Sequence, residues 1–153
     1  MFRNLLPRLF GEDNPDTPLS ADDGELAVAA LLVRIARADH HYTDLERQRI
    51  DMFLAGRRHL SPAEAADRRA AAELLEAEAP DTVRFTRAVK DRVPLERRAA
   101  VIAGMWSVAL ADGHRAAEEE AAIRLTAGLL GVSDRDSAAA RQSVERADPG
   151  HAG

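Results

Sequence analysis

From residue 26 to residue 38 the apolar positions run almost all the way round a helix, which predicts a buried central element. Ser20 offers an N-cap ahead of it, and Asp22, Asp23 and Glu25 place negative charge where a helix N-terminus favours it. Thr43-Asp44-Leu45-Glu46 has the capping-box pattern that opens the next helix, with Ile50, Phe53 and Leu54 as its buried stripe. Ser61-Pro62-Ala63-Glu64 is a second capping box, with proline at the first helical position, and starts a polar, Ala-rich helix reaching about Glu78. Pro80-Asp81 punctuates the chain, and Val83, Phe85, Ala88 and Val89 predict a short helix that ends before Pro94. Pro94 begins a second long apolar helix through Val101, Ile102, Met105, Trp106 and Val108 to Ala111. A helix over residues 116–130 follows, stopped by Gly131, and Ser133 caps a last one reaching about Ala147.

The pattern repeats. Ala38-Asp39-His40-His41 with Glu46 and Ile50 recurs as Ala111-Asp112-Gly113-His114 with Glu119 and Ile123, at a constant separation of 73 residues. Each copy lies at the joint between two helical stretches, so each reads as a helix, an acidic turn and a second helix. The same order of buried helix, acidic turn, amphipathic helix and Ser-capped polar helix runs through 24–79 and again through 96–147. Ser61 and Ser133 are 72 apart, so the second copy has lost one residue in its later loop. The predicted fold is all-α: a compact bundle of about seven helices, made of two three-helix repeats with pseudo-twofold symmetry. Its domain spans 20–147. Residues 1–19 form an amphipathic N-terminal segment and an acidic, Pro-containing linker, and 148–153 a loose tail.

Composition sharpens this picture. The 153 residues are enough for one domain with a real core, yet aromatics make up only 4%, so that core must be built from Leu, Val, Ile and Ala. Alanine is the best helix former and lets helices approach closely. Net charge is −5, which argues against a nucleic-acid face. Lys90 is the only lysine, leaving little material for Schiff-base chemistry. There is no cysteine, which excludes disulfides, thiol catalysis, zinc fingers and iron–sulfur clusters. No run of 18 apolar residues is present, and the first ten residues are too short and too interrupted by Pro7 and Arg8 for a secretory signal. The expectation is a cytoplasmic protein. Residues 2–10 carry Phe2, Leu5, Leu6, Leu9 and Phe10 beside Arg3 and Arg8, a pattern that either packs on its own domain or touches a membrane surface peripherally.

The acidic turns hold the candidate chemistry. Asp39 and Asp112 each fall at the carboxyl end of an apolar helix, where the macrodipole disfavours an anion by about 0.3–1 kcal/mol. Two explanations compete: a short acid capping backbone amides of its own turn, or a cation held between the Asp and the Glu that follows. Glu46 is accounted for by its capping box with Thr43. Glu119 is not, because the residue matching Thr43 is Ala116, and Glu119 stands between Glu118 and Glu120, whose charges repel. Three of the five histidines, His40, His41 and His114, also lie in these turns. The candidate metal ligands are therefore Asp39, Glu46, Asp112 and Glu119, with His41 and His114 as accessories. Oxygen donors suit Ca²⁺ or Mg²⁺; an Asp/His/Glu set suits Zn²⁺ or Mn²⁺. Asp112, Gly113 and Glu119 copy half of an EF-hand loop, but the other half would need acids at Val108 and Leu110, so that motif is rejected.

These residues resemble the TerB (tellurite resistance protein B) family, marked by an Ala-Asp-Gly turn followed by a Glu and an apolar residue, in two copies. The second copy, Ala111-Asp112-Gly113 with Glu119 and Ile123, matches in full; the first has His40 where the family has Gly. Histidine tolerates positive φ better than most residues, so that turn survives the change. The resemblance covers about 20–147. It implies an all-helical two-repeat domain with an acidic, divalent-cation-binding surface carried by Asp39, Glu46, Asp112 and Glu119, and a role in stress response or membrane-associated complexes. Without a thiol the chain cannot reduce or sequester tellurite by sulfur chemistry.

Three functional readings result. The first is a non-catalytic module whose acidic turns bind a divalent cation or a cationic protein partner. The second is a plain helical adaptor whose acids only cap helices. The third is a metal-dependent hydrolase, which would require the two turns to converge on a cleft. Protein partners are expected and nucleic acid is not; the oligomeric state is left open.

Overall fold

The computed structural model describes residues 21–79, 81–111, 113 and 116–147. Seven helices occupy them, with no strand among the described residues: α1 (Ala21–Ala36), α2 (Asp44–Arg58), α3 (Pro62–Glu78), α4 (Val83–Arg92), α5 (Leu95–Ala109), α6 (Ala117–Leu129) and α7 (Asp134–Ala147). The N-terminal amphipathic segment, its linker, Ser20, Pro80, Asp112, His114, Arg115 and the tail lie outside the described residues.

Helix α1 is the core element, as its all-round apolarity predicts. Every side chain from Leu26 to Val33 is buried, and α2, α3, α4, α5 and α6 all pack on it. Small residues make this possible: Ala27, Ala29 and Ala30 are wholly buried and keep α1 slim enough to be surrounded. The second apolar helix, α5, contributes Val101, Ile102, Met105 and Val108, all fully buried, and packs chiefly on α7 and α1. At Gly104 of α5 a Cβ would stand 2.5 Å from the Phe53 ring of α2, so glycine here sets how closely those two helices approach.

The helix boundaries follow the predicted local chemistry. Thr43 Oγ1 accepts from the Glu46 amide at 3.1 Å while the Thr43 amide donates to Glu46 Oε1 at 2.9 Å, the reciprocal box that starts α2. Ser61 and Glu64 do the same for α3. Ser133 Oγ accepts from the Asp136 amide at 3.1 Å and opens α7. Gly131 closes the α6 end at φ 75°. The two apolar helices stop two residues short of expectation, at Ala36 and Ala109, because the chain turns before it reaches the acidic residues.

Helix α3 has no basic residue in its last turn, and the end of α1 and the residue after it supply the missing cations. Arg34 donates to the carbonyl of Ala79 at 2.9 Å and to Glu76 Oε2 at 3.2 Å, with its guanidinium 5.4 Å from the centre of the Phe85 ring. Arg37 adds a 2.7 Å bond to Glu76 Oε1. Arg98 plays the matching part further along, donating to the carbonyls of Val93 at 2.9 Å and Leu130 at 3.1 Å.

Candidate functional site

Both acidic turns end an apolar helix and need one residue in left-handed conformation to reverse the chain. His40 takes φ 64° in the first turn and Gly113 takes φ 74° in the second, at matching positions of the sequence repeat. Histidine does occupy the glycine position. Asp39 then behaves as a short acid should, its Oδ1 accepting from the His41 amide at 3.0 Å. His40 and His41 are exposed.

The same turns launch α2 and α6, and each helix brings a glutamate inward at its third position. Glu46 is 2% exposed and Glu119 3%, values that carboxylates seldom reach without a charge partner. Glu46 is bound by its capping box. Glu119 has no such box: Ala116, at the N-cap of α6, offers no side-chain acceptor, and Glu119 Oε2 is buried with no hydrogen-bond partner. The run of three glutamates divides as helical geometry requires. Glu118 faces solvent, Glu120 lies 3.4 Å from Arg141, and Glu119 points into the protein.

Inside, Glu119 meets Glu46 and Asp39. Its carboxyl is pushed far above the ordinary carboxylate range, first by burial, then by the charge of Glu46 and a hydrogen bond to it, and then by the charge of Asp39 and a hydrogen bond to it. Three of the four carboxylates singled out from the sequence thus converge from two turns onto one corner; the fourth, Asp112, lies outside the described residues, as does the accessory His114. Without a counter-ion such a corner must hold a proton, because adjacent carboxylates in a low-dielectric setting cannot all ionise. Among the described residues no group of three or more His, Cys, Asp or Glu side chains is placed to hold a metal ion by itself. Two of the three carboxylates have an oxygen engaged by backbone, Asp39 with His41 and Glu46 with Thr43, while Glu119 keeps an oxygen unclaimed.

Beside this corner lies a frame of paired arginines and acids built around Tyr42. Tyr42, the residue after the first acidic turn, sits between Arg47, 4.3 Å from its ring centre, and Arg37, 5.2 Å away, and donates to Glu73 Oε2 at 2.6 Å. Arg69 ties Glu73 at 3.0 Å to Asp51 at 2.7 Å. These pairs fix the first turn against α3. The sequence reading missed this frame, because its members come from four segments whose contacts no local pattern encodes. Glu46, which the sequence reading gave both a cap and a place among the candidate ligands, keeps its cap and faces Glu119 as well.

No helix of the described residues is long and apolar enough to cross a membrane. No curated protein and no solved structure matches this chain. The family model for tellurite resistance protein TerB matches residues 25–142, which takes in all of the described helices except the outermost residues of α1 and α7. The doubled acidic turn, the helical bundle and this match agree, and the chain belongs to the TerB family.

Proposed function

We propose that the acidic corner binds a divalent cation, and that the protein is a non-catalytic helical module whose surface around that corner answers to the ion. The observation that supports this reading best is Glu119: a carboxyl 3% exposed, with one oxygen unclaimed, turned toward two further acids. Burying an acid against acids costs free energy that a bound cation offsets. Asp39, Glu46 and Glu119 would supply the oxygens, with Asp112 joining from the second turn by the register of the repeat. An all-oxygen set favours a hard ion, Ca²⁺ or Mg²⁺ before Zn²⁺. Because the donors come from two turns far apart in sequence, the ion would tie the α1–α2 joint to the α5–α6 joint and stabilise the corner as a unit.

Thermal unfolding tests this directly. After treatment with a chelator, addition of Ca²⁺, Mg²⁺, Mn²⁺ or Zn²⁺ raises the melting temperature of the wild-type chain and fails to raise that of Glu119→Gln. If none of the four ions shifts the wild type, the cation reading falls. What then stands is the adaptor reading, favoured by the amide bonds that Asp39 and Glu46 already make. Among the described residues nothing favours hydrolysis over either, because Glu46 and Glu119 are buried rather than lining an open cleft. A role in stress response or membrane-associated complexes, in the cytoplasm, is proposed on family membership alone.

A further inference from the structure

Helix α2 runs back along α1, so its far end returns to the start of α1, roughly 20 Å from the acidic corner at a 1.5 Å rise per residue. There Glu25, 3% exposed, accepts from Arg57 Nε at 2.8 Å and lies 3.4 Å from Arg58 Nε. The two arginines occupy the last turn of α2. Arg92 at the end of α4 and Pro94 and Arg97 at the start of α5 complete the walls of a cleft of about 180 Å³. Four guanidinium groups thus surround one carboxylate, a local charge of +3 on a chain whose net charge is −5.

Three of these arginines have an internal reason for their place, since cations are favoured at helix C-termini. Arg97 has none. It lies in the first turn of α5, at the positive end of the helix, and the N-cap there is Pro94, which provides no side-chain acceptor. Arg92 and Arg97 make no ion pair or side-chain hydrogen bond with another described residue. Arg57 and Arg58 both meet Glu25 through Nε, so it is not their terminal amino groups that hold Glu25. The base of the Arg92 side chain packs against α1, so closely that a Cβ on Gly24 would be 2.6 Å from Arg92 Cβ. A cluster of permanently charged planar forks around one cleft suits a tetrahedral oxyanion.

We propose that this cleft binds a phosphate group, carried by a small phosphate ester or pyrophosphate or presented as a lipid headgroup. The volume admits the phosphate and little of what bears it, since pockets for drug-sized ligands run to about 300–1,000 Å³. This site is independent of the cation corner and is tested with chelator present throughout, so failure of one leaves the other standing.

The test is titration calorimetry of the full chain with sodium pyrophosphate at low ionic strength, repeated with Arg92→Gln/Arg97→Gln. Both positions are exposed, so the fold is expected to persist, and circular dichroism and the melting temperature verify that. Saturable binding by the wild type, weakened at least tenfold in the variant, is the expected result. Sedimentation with phosphatidylcholine vesicles containing phosphatidic acid then separates the sources. Co-sedimentation that pyrophosphate competes away assigns a headgroup; binding in solution without co-sedimentation assigns a soluble phosphate. No saturable binding to either probe, or binding that the variant retains in full, overturns the proposal.

Discussion

Glu119 and Glu46 stand 73 residues apart in the chain and meet side by side in its interior, each at the third position of a helix that leaves an acidic turn. Glu46 is held by the box it makes with Thr43, and Glu119 has only other acids for company. Glu119→Gln removes an ionisable group whose burial among acids opposes folding. The metal-free variant is therefore expected to melt higher than wild type, by about 1 kcal/mol or roughly 2–6 °C for a domain of this size, as read by scanning calorimetry. A lower melting temperature without added metal would mean that Glu119 stabilises the corner as it stands.

His40 carries a backbone that glycine adopts at lower cost, and its side chain is exposed. His40→Gly is expected to leave stability unchanged or raise it by up to about 1 kcal/mol, relief of the left-handed strain being partly offset by a more flexible unfolded chain. The divalent-ion response should be unaltered. His40→Val, β-branched at the same φ, is expected to destabilise by about 1–2 kcal/mol in chemical denaturation.

Glu73 gives the protein an acid limit. Burial alone would raise its carboxyl, but the Tyr42 hydroxyl, the Arg69 guanidinium and the charge of Arg47 outweigh that and hold it below its ordinary value of 4.5. A group lowered in the folded state contributes stability that is complete above that unfolded value and is lost as pH falls through the lower folded one. The Glu73 contribution should therefore be complete down to about pH 5 and fall away below it. Tyr42→Phe deletes the 2.6 Å bond to Glu73 and is expected to cost about 1–2 kcal/mol at pH 7. The cost should shrink as Glu73 protonates, which melting curves from pH 3 to 7 read directly.

Arg34 serves five groups at once: the carboxylate and the carbonyl of Glu76, the carbonyl of Ala79, the Thr82 hydroxyl and the face of Phe85. Arg34→Lys keeps the charge and loses the fork, so about 1–2 kcal/mol should go; Arg34→Ala also leaves carbonyls at the α3 terminus without a donor and should cost about 2–4 kcal/mol. Urea denaturation distinguishes them. Equal losses in both variants would mean that charge alone matters at this joint.

Gly104 faces two opposing effects. Alanine gains roughly 1 kcal/mol of helix propensity over glycine, yet its Cβ would fall 2.5 Å from the Phe53 ring. Overpacking costs of about 1–3 kcal/mol prevail, so Gly104→Ala is expected to lower stability by about 1 kcal/mol net. Adding Phe53→Leu to make room should recover most of it, a coupling that a double-mutant cycle measures.

The helices were legible in the chain because what starts and stops them is local. Thr43 with Glu46, Ser61 with Pro62 and Glu64, Ser133 and Gly131 act over three or four residues, and each falls where the sequence places it. Family membership was legible for the same reason, since a turn and its following glutamate form a contiguous pattern, even with His40 in a glycine position. Which carboxylates face one another was not. Spacing marks Glu118, Glu119 and Glu120 alike as acids at a helix start, and only packing of α6 sends one inward to Glu46 and Asp39 while its neighbours turn to solvent and to Arg141. The arginine cleft was hidden for a like reason: its walls come from α1, α2, α4 and the start of α5, and their meeting depends on how helices stack. Local hydrogen bonding is written in neighbouring residues. Burial, and the electrostatics that follow from it, arise only when distant segments exclude water together.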